Sequence, residues 1–187
     1  MRNALVFAIF DCGFVPRCAL EEDDGGNVRF EKIQRLVAES KFGVHDICRT
    51  ELDPATELPR FNMPLELGVF LGARRFGDPS QKKKTCLILD TEPYRYQQFI
   101  SDISGHDIRA HSGNPETAIT LVRNWLSSAS GRKTIPGGRE IARRFALFCQ
   151  ELPSMCRGLR IDEDELTYND YANFISAWLG EYVDVGI

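Results

Sequence analysis

Along the first two thirds of the chain, short runs rich in Val, Ile, Leu and Phe alternate with longer segments of helical periodicity. This alternation constrains the fold more than any other feature. An apolar run of five to seven residues with little polar alternation must be buried on both faces, which is the condition of a strand in a parallel sheet. Strands of that kind are joined by crossover helices, so the pattern selects an α/β sheet with helices against it. The expected strands are residues 14–20, 42–47, 85–90 and, more weakly, 107–111.

The helical segments fit between them. In residues 28–41, Val28, Ile33, Leu36 and Val37 fall on one face, with Arg29, Lys32, Arg35 and Glu39 mostly elsewhere. Asn27 is the expected cap of that helix. Residues 64–75 read as a nearly all-apolar helix, and Asn114-Pro115 opens an amphipathic one over residues 115–128. The run Leu5 to Phe10 suits a strand or a buried helix. Cys12-Gly13 is a helix stop, which favours a helix over residues 3–11.

After Pro136-Gly137-Gly138 the character changes to two amphipathic helices, residues 139–152 and 168–183, joined through Pro153 and an acidic stretch at residues 162–165. Their aromatic and aliphatic residues, Phe145, Phe148, Phe174, Ile175 and Trp178 among them, exceed what two short helices hide between themselves. The expectation is an α/β domain at residues 1–131 and a helical extension at residues 132–187, packed on that domain or on a second copy in a homo-oligomer.

A chain of 187 residues with a net charge of -4 lacks the surplus of Lys and Arg that nucleic acid or an anionic membrane requires. The one basic run, Lys82 to Lys84, reads as a solvated loop ahead of a strand. No signal peptide and no spanning segment are visible, so a cytoplasmic location is expected. The six cysteines are scattered with no Cys-x-x-Cys pair, and read as reduced core thiols. No metal site is expected; His45, His106 and His111 read as structural or surface histidines. P-loop, dinucleotide, nucleophile-elbow and zincin motifs are all absent.

Two acidic residues stand out. Glu66 is the sole ionisable group in Met-Pro-Leu-Glu-Leu-Gly-Val-Phe-Leu-Gly-Ala, residues 63–73, and a lone carboxylate there needs a cleft or a partner. With Asn62 or Met63 as cap and Pro64 in the first turn, Glu66 is expected at the helix N-terminus, where backbone N–H groups favour its charge. Asp46 falls at the carboxyl end of the strand at residues 42–47, where ligands of open α/β sheets bind. Arg60, Asn62 and Arg17 are further candidate ligand-binding residues, the arginines through their forked guanidinium groups. Arg17 has an alternative in pairing with a nearby Glu.

His45-Asp46-Ile47-Cys48 followed by Asn62-Met63-Pro64-Leu65-Glu66-Leu67-Gly68 resembles the TIR-like and nucleoside 2-deoxyribosyltransferase-like superfamily, most of all a bacterial branch of it, over about residues 1–125. The resemblance implies a flavodoxin-like doubly wound sheet. It also implies a Glu acting at the anomeric carbon of a nucleoside or of NAD, and a strand-end acid holding the ligand. Those roles fall on Glu66 and Asp46. The implied partner is a nucleotide or nucleoside, with NAD a candidate substrate and no cofactor. The alternative is a nucleotide-sensing or protein-interaction module of the same fold without turnover. Members open with a strand that this chain lacks if residues 3–11 are helical, so the sheet is expected to miss its first strand, supplied by an earlier start.

Overall fold

The computed structural model describes residues 1–22, 24–50, 52, 55 and 57–184. The chain forms two compact units, one of Met1–Asp23 with Pro115–Ile187 and one of Asp24–Asn114.

The second unit holds the sheet. It contains helix α2 (Arg29–Glu39), strand β1 (Phe42–Asp46), helix α3 (Asn62–Phe76), strand β2 (Thr85–Asp90) and strand β3 (Ile108–Ala110). The sheet is parallel, in the order β1-β2-β3. Its register sets Phe42 beside Thr85 and Asp46 beside Leu89, then Leu89 beside Arg109. Strand alternation therefore puts Val44, Asp46, Leu87, Leu89 and Arg109 on one face. Gly43, His45, Cys86 and Ile88 take the other, which is the face that α3 covers: the His45 ring meets Phe70 edge-on with centroids 5.1 Å apart. Ile47, Leu67, Ile88, Tyr96 and Ile103 form the core there, packed round by Met63, Leu71, Phe99 and Ile108. A fully buried side chain such as Leu67 stabilises the fold by about 1.5–3 kcal/mol. From β2 to β3 the chain crosses by two 3₁₀ turns, Arg95–Gln98 and Ser101–Ile103.

Lys84 corrects the reading of the basic run as solvated. It is buried, and its ammonium donates to the carbonyls of Val37 (2.6 Å), Ala38 (3.3 Å) and Ser40. These carbonyls stand at the end of α2, where a cation is favoured. At the other end of α2, the cap position is Val28, not Asn27, whose amide instead donates to Asp24.

The first unit is helical, with α1 (Arg2–Asp11), α4 (Pro115–Ser130), α5 (Gly138–Leu159) and α6 (Tyr168–Asp184). Residues Ala4 to Ala8 are all buried, so α1 is enclosed on every side, and Gly13 ends it at φ +78°, a conformation that suits glycine. Phe7 of α1 covers the aromatic surface of the C-terminal helices, 5.4 Å from Phe145 and from Phe148 and 6.0 Å from Trp178 between centroids. Pro153 does not end α5 as expected. The helix runs on through it to bury Cys156, and closes with Arg160 left-handed and the Ile161 N–H on the Cys156 carbonyl.

Residues 14–20 are not a strand. The segment makes no ladder among the described residues; the Pro16 carbonyl accepts from the Tyr168 hydroxyl at 2.7 Å, and the Glu21 carbonyl accepts from the Asn169 amide at 3.0 Å. Pro16 has no N–H to give a ladder, which explains why an apolar run of the right length fails as a strand. The expectation of a gap beside that strand loses its premise, and β1 pairs directly with β2. Among the described residues, no helix is long and apolar enough to cross a membrane.

Candidate functional site

The carboxyl ends of the three strands gather most of the polar side chains that the sheet holds. β1 ends on Asp46, and one further ladder bond, from the Ile47 N–H to the Leu89 carbonyl at 2.9 Å, carries the chain to Cys48. Beyond β3, the His111 N–H bonds the Asp90 carbonyl at 3.0 Å. His111 lies two residues past Arg109, so alternation returns its side chain to the Asp46 face.

There, Asp46 Oδ1 lies 3.3 Å from His111 Nε2 and accepts the Cys48 N–H at 3.2 Å. The Gly113 N–H donates to His111 Nδ1 at 3.0 Å. Nδ1 therefore carries the lone pair and Nε2 the proton, which it donates to Asp46. The His111 side chain is almost wholly buried and that of Asp46 is 14% exposed, so the carboxylate is the part that meets solvent. Burial, with the Asp46 hydrogen bond and charge behind it, pushes the Cys48 thiol up to about 12. A thiol held there is no nucleophile at neutral pH. Asp46, Cys48 and His111 bring their donor atoms within 4.8 Å of one another, the one group among the described residues able to hold a metal ion in this way.

Asp90, at the end of β2, is fully buried and bound by Arg95, whose Nε lies 2.8 Å from Oδ1. Arg95 also donates to Thr50 Oγ1 at 2.9 Å and to the carbonyls of Ile47 and Cys48 at 3.1 and 3.0 Å. It thereby fastens the segment after β1 to the end of β2.

Glu66 stands elsewhere. α3 starts at Asn62, two residues before the expected start, with Phe61 as its cap, and has no acidic residue in its first turn. Glu66 is in the second turn, beyond the free N–H groups expected to favour its charge. Half-buried, it has its carboxyl pushed above the ordinary glutamate value by burial, with the Arg29 charge acting against that shift. Since α3 covers the His45 face, Glu66 and Asp46 belong to opposite sides of the sheet. Asn62 is the first residue of α3 and exposed; Arg60 is exposed just ahead of it. Arg17 belongs to the helical unit, where its Nε lies 2.7 and 2.9 Å from the two Glu21 carboxylate oxygens. This is the pairing that its sequence context allowed.

Sequence reasoning passed over Cys48, Asp90, Arg95 and His111. The rule that singled out Asp46, an acid at the carboxyl end of a strand, applies equally to Asp90 at the end of residues 85–90. His111 carried no local signal, because its partner is 65 residues away.

The fold and site together define a small α/β protein with a three-stranded parallel sheet and a polar cluster at its carboxyl edge. Compared with protein-family models, curated proteins and solved structures, the chain has no significant match.

Proposed function

We propose that this chain binds a nucleotide or nucleoside at the carboxyl edge of a flavodoxin-like sheet, and that it cleaves or transfers at the N-glycosidic bond with a carboxylate. One observation carries the reading: Asp46 sits at the carboxyl end of β1, held by the His111 Nε2–H, with its carboxylate reaching solvent. An acid so placed accepts hydrogen bonds from sugar hydroxyls. As the base departs, positive charge builds at the sugar, and a carboxylate nearby stabilises it or bonds to it. Glu66 is the carboxylate that the resemblance casts at the anomeric carbon, and it is the second acid this reading puts to the test.

A second reading, binding without turnover, has its own support. Glu66 lies on the α3 side of the sheet and Asp46 on the other. The test is to incubate the pure chain with NAD and with nucleosides and follow release of free base, for the wild type, Glu66→Gln and Asp46→Asn. Release that both variants lose supports the enzyme. Saturable binding without release, weakened in Asp46→Asn, supports the sensor. Neither binding nor release overturns both.

A further inference from the structure

We propose that Asp46, Cys48 and His111 form a site for one zinc-class divalent cation, bound by carboxylate, thiolate and imidazole, with solvent completing the coordination. The inference is independent of nucleotide chemistry and rests on placement and donor type.

Placement comes first. The three donor atoms lie within 4.8 Å of one another, and the Asp46 to His111 separation is already 3.3 Å. Zinc bonds of about 2.0–2.3 Å in a tetrahedron set ligand atoms about 3.3–3.7 Å apart, so only a modest side-chain rotation at Cys48 is required. The backbone is held for it. Ile47 and His111 are tied into the ladder by their N–H groups, and Arg95 grips the carbonyls of Ile47 and Cys48.

Donor type decides the metal. A thiolate and an imidazole beside one carboxylate exclude magnesium and calcium, which take oxygen ligands, and suit zinc or cobalt. Thiolate and carboxylate together carry two negative charges, which a divalent cation cancels. Three protein ligands leave a position for water, and the partial exposure of Asp46 and Cys48 gives an approach for it.

The protons balance as follows. Without metal, Cys48 keeps its proton and His111 Nε2–H donates to Asp46. On binding, the Cys48 proton passes to solvent as the sulfur–metal bond forms. The His111 proton moves from Nε2 to Nδ1, freeing the Nε2 lone pair and releasing the Gly113 N–H to water. One proton leaves per ion. The tautomer change costs the Gly113 bond and gives the site a signature that an adventitious surface ion lacks.

The experiment uses the full chain, stripped with a chelator and titrated with Co²⁺ in the absence of nucleotide. The expected result is one equivalent bound, with a thiolate-to-cobalt absorption band that Zn²⁺ abolishes. Cys48→Ser loses the band, and both Cys48→Ser and His111→Gln weaken binding by at least about tenfold. Cys149→Ser, an exposed cysteine of α5, changes nothing. One wild-type measurement holds even where a variant fails to fold: on Zn²⁺ binding, ¹⁵N spectra show His111 passing from the Nε2–H to the Nδ1–H form. Absence of the band, its survival in Cys48→Ser, or a His111 tautomer that Zn²⁺ leaves unchanged overturns the site. Base release can fail while cobalt binds, and the converse holds, so this result and that of the nucleotide assay are read separately.

Discussion

Asp46 and His111, 65 residues apart in the chain, meet across the end of the central strand with Oδ1 3.3 Å from Nε2. The contact exists because β1 and β3 flank β2 in one parallel register, and because Gly113 settles which imidazole nitrogen keeps its proton. His111→Leu fills a similar volume but removes both partners, leaving the Gly113 N–H and part of the Asp46 carboxylate unpaired. The expected cost is about 1–3 kcal/mol in urea unfolding, chiefly the lost bond to the charged Asp46, since the Gly113 N–H and the Asp46 carboxylate left behind can both turn to water. His111→Gln keeps a donor for Asp46 and should lose less. Equal losses in the two variants would count against the hydrogen bond as the cause.

Lys84 closes α2 through three carbonyls. Lys84→Met retains an apolar stem and deletes the ammonium, which both caps these carbonyls and lies 5.6 Å from the Phe70 ring centroid, so the loss reports on the charge and not on the stem. The expected loss is about 1.5–3 kcal/mol, the range for a hydrogen bond to a charged group. Amide exchange should quicken first at the carboxyl end of α2. A uniform change over the whole sheet would instead point to packing.

Strand and helix positions within the sheet unit were largely legible in the sequence, since residues 42–47, 85–90 and 107–111 bear apolar runs that correspond to β1, β2 and β3. The run at residues 14–20 looked the same in composition. It differs by Pro16 and by the long-range bonds from Tyr168 and Asn169, which no local pattern announces. The passage of α5 through Pro153 has a similar origin, in the burial that Cys156 gains beyond it. At the site, Asp46 was legible from its place at a strand end. Glu66 stood out for its chemistry, but its setting depends on where α3 starts, and a shift of two residues moves it out of the first turn. Cys48 and His111 become partners only once the order of strands is known.

Gly43 of β1 lies beneath α3. A Cβ there would stand 2.7 Å from Phe70 Cε2 and 2.8 Å from His45 Nε2. Both rings are buried, and burial holds His45 neutral, its pKa pushed down to about 4. Gly43→Ala should therefore destabilise by about 1–3 kcal/mol through overpacking, although alanine favours neither strand nor turn. Adding Phe70→Leu vacates the space the methyl needs. The double variant should lose less than the sum of the two single losses, a coupling that a thermodynamic cycle measures directly.

In the helical unit, Asp11 at the end of α1 faces Arg144 of α5, with Nη1 2.8 Å from Oδ1. The Asp11 side chain is only 4% exposed, and its other oxygen, Oδ2, is buried without a hydrogen-bond partner. Burial raises its pKa above the ordinary 3.8, and Arg144 offsets only part of the rise. The sign follows from linkage: a carboxyl that holds its proton more tightly folded than unfolded adds stability as pH falls through its folded pKa, and subtracts it as pH rises. Removing Arg144 takes away the compensating charge, so Arg144→Met is expected to cost about 3–5 kcal/mol at neutral pH. That loss should shrink as pH falls, because Asp11 without the Arg144 charge takes up its proton more readily. Arg144 also bonds Glu140, but that carboxyl is more exposed and keeps Arg143, so it contributes little to the trend. Asp11→Asn removes the titrating group, and the double variant Asp11→Asn with Arg144→Met should recover most of the neutral-pH loss while showing a flatter pH profile. Urea unfolding of the four forms at neutral pH and at about pH 5 makes the comparison. An Arg144→Met penalty of the same size at both pH values, or one that the second substitution leaves untouched, would show that the lost packing of the arginine stem, not the buried charge of Asp11, sets the cost.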